Sequence, residues 1–526
     1  MKARNSHTLR RTTISGLAIG SLFALSACDA VTEGGEDDGT GAAGTGSNEL
    51  IIGFGRDIDT VDTHNSADIA TEAIMVNVQD YLIRRDDDGT LQPHLAETYE
   101  NIDEQTWSFT LHEGITFHNG DPLTSEDVKF TLERVSSDDT LAQYANYNTI
   151  AEVNVIDELN FEIVTDGPDP VLPYRLAREG SGIFPKNYIE EEGWEGYMEH
   201  PVGSGAFEFV EWSEGENFTI SRYEDYFRGD VTEWDTVEFR IIGEDSTRIS
   251  ELLTGGVHIA DFIPMQDLDR VDAEEGIDLL PTTTTTVQRI YVNANEGNAT
   301  EDPLVREALD YAIDNETMND MFQNGEGVPT RTALVPGAFG FEESLHDSFR
   351  YDPDRARELL EEAGYGEGEL EITVNQSQGR SPDDADMAQA VAGMLEEVGI
   401  EAQLNLMEAS QYVDSRNNGE FNDLLHGMWN NTFYDGSFSL GHFHSDYHPE
   451  AFGYDNPEVD ELLEAAAVNM DEEEREEQYQ QVQEIVAEEL PYIYLYQQVT
   501  FRASAEGINY EPRADDMVYV EYITAD

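Results

Sequence analysis

The chain holds a single cysteine, Cys28, in 526 residues, so it forms no disulfide within itself. Lysine is nearly missing, with Lys2, Lys129 and Lys186 the only three. Positive charge of any kind is scarce: 28 Lys and Arg stand against 111 Asp and Glu, a formal net charge of −83. That deficit excludes nucleic-acid binding, which needs a basic footprint. It equally opposes docking on anionic headgroups. A helix that spans a bilayer needs about 20 apolar residues. The uncharged run at residues 14–27 is shorter, and no second long run follows. Gly-x-Ser-x-Gly, Ser-x-x-Lys, His-Glu-x-x-His and phosphate-loop motifs are also missing, so a secreted hydrolase is the weaker reading.

What is present points to a folded protein. Hydrophobic residues make up 39% and aromatics 10%, too much apolar content for an acidic disordered chain. The length suits two or three domains. The acids then form a skin whose self-repulsion opposes compaction. At molar salt the Debye length falls to about 3 Å and this penalty largely disappears. A salt-rich host, or failing that an alkaline one, fits the composition.

The start of the chain carries Lys2, Arg4, Arg10 and Arg11, then the apolar run, then Leu25-Ser26-Ala27-Cys28. This is the layout of a secretory signal. It resembles the bacterial lipoprotein signal, which implies cleavage before Cys28 and a diacylglyceryl group on its sulfur. Two or more acyl chains anchor a protein stably where one does not. Arg10-Arg11 raises twin-arginine export, but Thr12, Thr13 and Ile14 fit ordinary secretion better. Residues 29–48 are Gly, Glu, Asp, Thr and Ala with little else, a flexible spacer.

The folded part is expected to open with a strand at Leu50-Ile51-Ile52-Gly53-Phe54 and a helix over about 70–82. Trp107, Phe109 and Leu111 alternate with polar residues, which predicts a strand. Gly114 should break it and Ile115-Thr116-Phe117 resume it. Thr124 with Asp127 three residues on predicts a capped helix with Val128, Leu132 and Val135 inward. Asp352-Pro353 and Asn456-Pro457 predict two further helix starts. The five threonines 282–286 predict an extended segment, and Gly203-Ser204-Gly205 a turn.

Several of these stretches resemble the peptide/nickel/oligopeptide class, family 5, of ABC-importer solute-binding proteins. The matching pieces include His94-Leu95-Ala96-Glu97, residues 107–111, and Gly114-Ile115-Thr116-Phe117-His118-Asn119-Gly120. Leu123–Val128, Pro201–Phe207, 302–314, 351–365 and 453–462 follow in the family's order. The resemblance implies an α/β, two-lobed periplasmic-binding-protein-like fold (type II, cluster C) with an extra small domain in the first lobe. Lobe I would take 49–84, 186–288 and 496–526, the small domain 85–185, and lobe II 289–495. It implies a receptor without cofactor or turnover, a monomer, lipid-anchored outside the cell. The receptor would capture a solute and deliver it to permease subunits.

The resemblance also suggests site residues. Asp435, after Trp429, would pair with a peptide's α-ammonium, and Arg380, after Glu371-Ile372-Thr373-Val374, with its carboxylate. Gly436 stands where many relatives have proline. Trp429, Phe433 and Tyr434 would line the pocket, and Asp435→Ala is expected to abolish binding while sparing the fold. A di- or oligopeptide is the leading solute, with an oligosaccharide or a nickel or metal chelate as alternatives. His442, His444 and His448 form a weaker metal candidate, since metals favour imidazole. The composition itself makes a test: the melting temperature should climb steeply in rising KCl, and a melt indifferent to salt contradicts the halophile reading.

Overall fold

The apolar run near residue 50 becomes the strand Glu49–Phe54, with Leu50, Ile52 and Phe54 buried. It pairs in parallel with Thr236–Ile241 and with the short strand Ile259–Ala260. These details come from a computed structural model, which describes residues 48–378, 383–446 and 452–526. Cys28, with its signal and spacer, lies outside the described residues, as do Arg380 and His448.

One sheet runs through the molecule. Beyond Thr236–Ile241 come Asn217–Arg222 and Phe207–Ser213; on the other side come Ile259–Ala260, Tyr492–Ala505 and Ile277–Val292. The order continues through Leu424–Asn430 and Glu371–Gln378 to Glu401–Glu408. Ile277–Val292 and Tyr492–Ala505 are the longest strands, 16 and 14 residues, and both halves of the sheet share them. In the second half, Ile290, Val374 and Leu424 pack on one face against the helices Pro303–Ala312 and Asp384–Glu397. Tyr291, Leu425 and Tyr492 pack on the other face, against Pro457–Val468 and Glu472–Glu489.

A separate four-stranded sheet, Ala96–Asp103, Thr106–Leu111, Asn160–Thr165 and Ile150–Val155, holds its own core. Phe109 and Phe161 stack there at 5.2 Å, a favourable ring arrangement. The helix Ser125–Ser137 covers it with Val128, Leu132 and Val135 fully buried. Its capping box forms as the sequence implied: the Thr124 backbone N–H donates to Asp127 Oδ2 at 2.9 Å. Asp352 and Asn456 likewise cap helices that begin at Pro353 and Pro457.

The threonine run is extended but not regular. Thr283 faces Val499, yet Val287 already faces Gln497, so a bulge falls within it. Hydroxyls take over from the ladder there: Thr284 Oγ1 donates to Gln498 O at 3.2 Å, and the Thr286 N–H donates to Thr284 Oγ1 at 3.1 Å.

Two expectations differ from the structure. The helix near residue 70 spans only Ile69–Met75. Past it, the carbonyls of Asn77 and Val78 accept from the N–H groups of Phe207 and Gly205, so tertiary pairing replaces the next turn. Residues 115–117 form no strand; a single bridge, Thr116 to Pro122, closes a tight turn after Gly114 at φ +81°. The Asn77–Val78 contact explains why glycine occupies position 203. A Cβ there would sit 1.9 Å from the Val78 carbonyl oxygen, and all its nearest neighbours are backbone atoms, not yielding side chains. Gly203→Ala should destabilise the protein by about 3 kcal/mol or more, read as a lower denaturant midpoint, and a variant as stable as the parent contradicts this packing.

Candidate functional site

The strand Leu424–Asn430 runs alongside Ile277–Val292 and releases the chain into a loop that ends on the short helix Gly436–Leu440. Asp435 is the N-cap of that helix: its Oδ1 accepts from the Ser437 N–H at 2.9 Å. The same oxygen accepts from Arg475 Nη2 at 2.7 Å. Asp435 is fully buried, and its Oδ2 has no hydrogen-bond partner. Tyr434 takes φ +55°, an uncommon conformation for a bulky residue. Its carbonyl accepts from the Phe339 N–H at 2.8 Å, which holds the loop against residues 338–341.

Two more arginines grip this loop from the other side of the molecule. Arg178 Nη1 donates to the Thr432 carbonyl at 2.7 Å, and Arg85 Nη2 donates to the Phe433 carbonyl at 2.9 Å. The Arg85 guanidinium lies 4.4 Å from the Tyr434 ring centre, and Arg475 lies 4.6 Å from that of Phe339. Tyr174 faces Phe339 edge-on at 6.1 Å, and the Asp435 charge adds to burial in pushing its phenol up. Gly89 and Gly337 meet backbone to backbone, since a Cβ on Gly89 would lie 2.2 Å from the Gly337 oxygen.

Behind Arg178, Glu72 pairs with its guanidinium and accepts the Glu179 N–H at 2.9 Å. Burial first, then the Glu72 charge, pushes the Glu179 carboxyl well above the usual range. A separate cavity of about 340 Å³ opens where Glu49–Phe54 ends. Phe54, Ile69 and Ala70 form its apolar wall, and Arg56, Asp261 and Arg502 its charged one.

The sequence candidates separate in space. Phe433, Tyr434 and Asp435 share the gripped loop, and all three are buried. Trp429 turns deeper into the second half, its ring 4.2 Å from His442 and 5.2 Å from Phe438. His442 is buried, whereas His444 faces Glu464 at 3.4 Å. Among the described residues, no group of three His, Cys, Asp or Glu could hold a metal ion.

Sequence reasoning missed Arg85, Arg178, Arg475 and Phe339. The arginines' signal was scarcity, because a chain so poor in cations places few of them inside without a task. The pairing also revises the expected effect of Asp435→Ala. Removing the carboxylate strands a buried Arg475 and uncaps a helix, so the fold itself should suffer.

The Glu179 pocket has a pH consequence. Its folded-state pKa, pushed up to about 9, lies above the unfolded value of about 4.3, so the fold favours the protonated form and weakens as pH rises from the ordinary carboxylate range toward about 9. Glu179→Gln should melt above the parent at pH 8 and lose that advantage by about pH 4; melting curves that differ equally at both pH values contradict this.

Residues 90–450 match the family described as bacterial extracellular solute-binding proteins, family 5 Middle. Glutathione-binding proteins GsiB are 26% identical in Salmonella paratyphi A and 27% in Escherichia coli O157:H7, each over 459 residues. Those alignments take in 85% of this chain and 88% of each relative. Among solved structures, HbpA2 from Haemophilus parasuis superimposes with a TM-score of 0.81 at 20% identity, covering 91% of this chain and 100% of that one. DppA from Helicobacter pylori, in complex with the peptide STSA, gives 0.70 at 21% identity over 91% and 98%. The two-lobed fold is therefore shared, and the family matched is one of solute binding rather than catalysis. With residues 90–450 matching it, this chain belongs to the family 5 extracellular solute-binding proteins of ABC importers.

Proposed function

We propose that this protein captures a di- or oligopeptide between its lobes and delivers it to an ABC permease, tethered outside the cell through a lipidated Cys28. The lobes are taken as 49–84, 186–288 and 496–526 for the first, with 85–185 as the small domain, and 289–495 for the second. The observation that carries the reading is the unpartnered Asp435 Oδ2, buried beside Arg475. A buried acceptor without a partner is costly, and an ammonium group satisfies it with a strong charge-assisted bond.

The surroundings suit a peptide. Phe339 and Tyr479, with Tyr174 across the seam, make an aromatic wall around one charged anchor, the usual make-up of a ligand pocket. Phe433 and Tyr434 continue that wall, Trp429 stands behind it, and Arg380 is the proposed carboxylate partner. Relatives named for glutathione, itself a peptide with a free α-ammonium, and a neighbour holding the peptide STSA point the same way.

Because Asp435 also caps a helix, the informative substitution keeps its shape. Asp435→Asn keeps the cap but not the charge that pairs with Arg475, so it should lower the melting temperature. Measured below that melt, where circular dichroism shows a folded protein, it should weaken binding of short peptides or glutathione by about 10- to 100-fold in calorimetry. Unaltered affinity removes this residue from the site. Native mass spectrometry of purified protein reads the co-purified solute directly, and a sugar or a metal chelate in place of a peptide overturns the ligand assignment.

A further inference from the structure

Arg289 stands in mid-strand, opposite Gly427 on one side and Tyr494 on the other, with 1% of its surface exposed. Nη2 donates to the Tyr291 hydroxyl at 3.2 Å, but Nε and Nη1 have no hydrogen-bond partner. Tyr492, Tyr291 and Trp429 present their rings at 4.6, 4.8 and 5.3 Å from the guanidinium carbon. The Trp429 Nε1–H is buried and unpartnered as well.

Arg416 lines the same small cavity, together with His442 and Phe452. Among the described residues, no carboxylate lines it. His442 adds no charge, since burial and then the Arg289 charge pull it down to about 3. Arg85, Arg289, Arg306 and Arg416 are the arginines without an ion pair among the described residues. Arg85 and Arg306 donate to backbone carbonyls instead. The other two meet here, in a chain with four acids for every base. An isolated buried cation is expensive, and aromatic faces compensate it only in part. Two guanidinium groups without an ion pair call for a negative partner here.

We propose that the cavity is a binding site for a small monoatomic anion of the halide class, held by Arg289 Nε and Nη1 and Trp429 Nε1. Arg416 supplies the second positive charge. The free space, about 10 Å³, admits one water-sized occupant. A space that small favours a single-atom occupant over carboxylate, phosphate or sulfate. A water molecule fills the space but leaves the guanidinium charge uncompensated, whereas a halide answers both. The bound ion braces Trp429 just where its strand releases the loop that carries Asp435. This inference does not depend on which solute the protein captures.

Bromide, a heavy halide, is the probe. Crystals of the protein grown in sodium bromide should show an anomalous peak between Arg289 and Trp429. A water or a peptide carboxylate in that position, or anomalous peaks on the surface alone, overturns the proposal. Melts at equal ionic strength should run about 2 °C or more higher in chloride than in gluconate, which is too large to enter. Arg289→Gln should abolish that difference, and Arg416→Gln, on a half-exposed side chain, should reduce it if the first variant does not fold. Equal midpoints in the two salts for the unmodified protein, or a difference that both variants retain, would refute the site.

Discussion

Positive charge is the limiting resource of this protein, and its placement organises the rest. Three guanidinium groups converge on three residues of one loop: Arg178 on Thr432, Arg85 on Phe433 and Arg475 on Asp435. The first two reach across from the four-stranded sheet and its neighbours, while the third rises from the long helix Glu472–Glu489. Interactions buried this deeply are screened by salt far less than those at the surface. The acidic skin can therefore change with ionic conditions while the inner arginine contacts persist. Arg248, Arg289 and Arg475 are among the largest fully buried side chains, an inversion of the usual rule that charge stays outside.

The two long strands set the second constraint. A binding protein of this family has to let its lobes move, and the motion has to pass through whatever joins them. Here the joining strands carry an irregular register at the threonine run, with hydroxyls in place of ladder bonds. A bulge bends and twists a strand locally. Threonine fits such a place because its side chain favours extended backbone and can satisfy the groups the bulge leaves unpaired.

Much of the local structure was legible because it rests on near neighbours. Thr124 and Asp127 are three residues apart, Asp352 and Asn456 each precede a proline, and Trp107, Phe109 and Leu111 alternate on one strand. Legibility failed where a distant segment took over. The helix at residue 69 stops at Met75 because Gly205 and Phe207, some 130 positions away, claim the next carbonyls. Trp429 reads from its loop as a ligand wall, yet the structure turns it toward His442 and Arg289. Asp435 was visible as a candidate, but its partner Arg475 lies 40 residues on and nothing local announces it.

The sequence by itself determined the family, the helix starts, the strand alternation and the excess of acid, since composition and short-range pattern carry these. Tertiary structure alone decided which scarce arginine meets which carbonyl or carboxylate, which oxygen of Asp435 is left over, and that Arg289 and Arg416 face one cavity. The physical reason is range. Caps and alternation act over a few residues of backbone, whereas burying a charge is a property of everything folded around it.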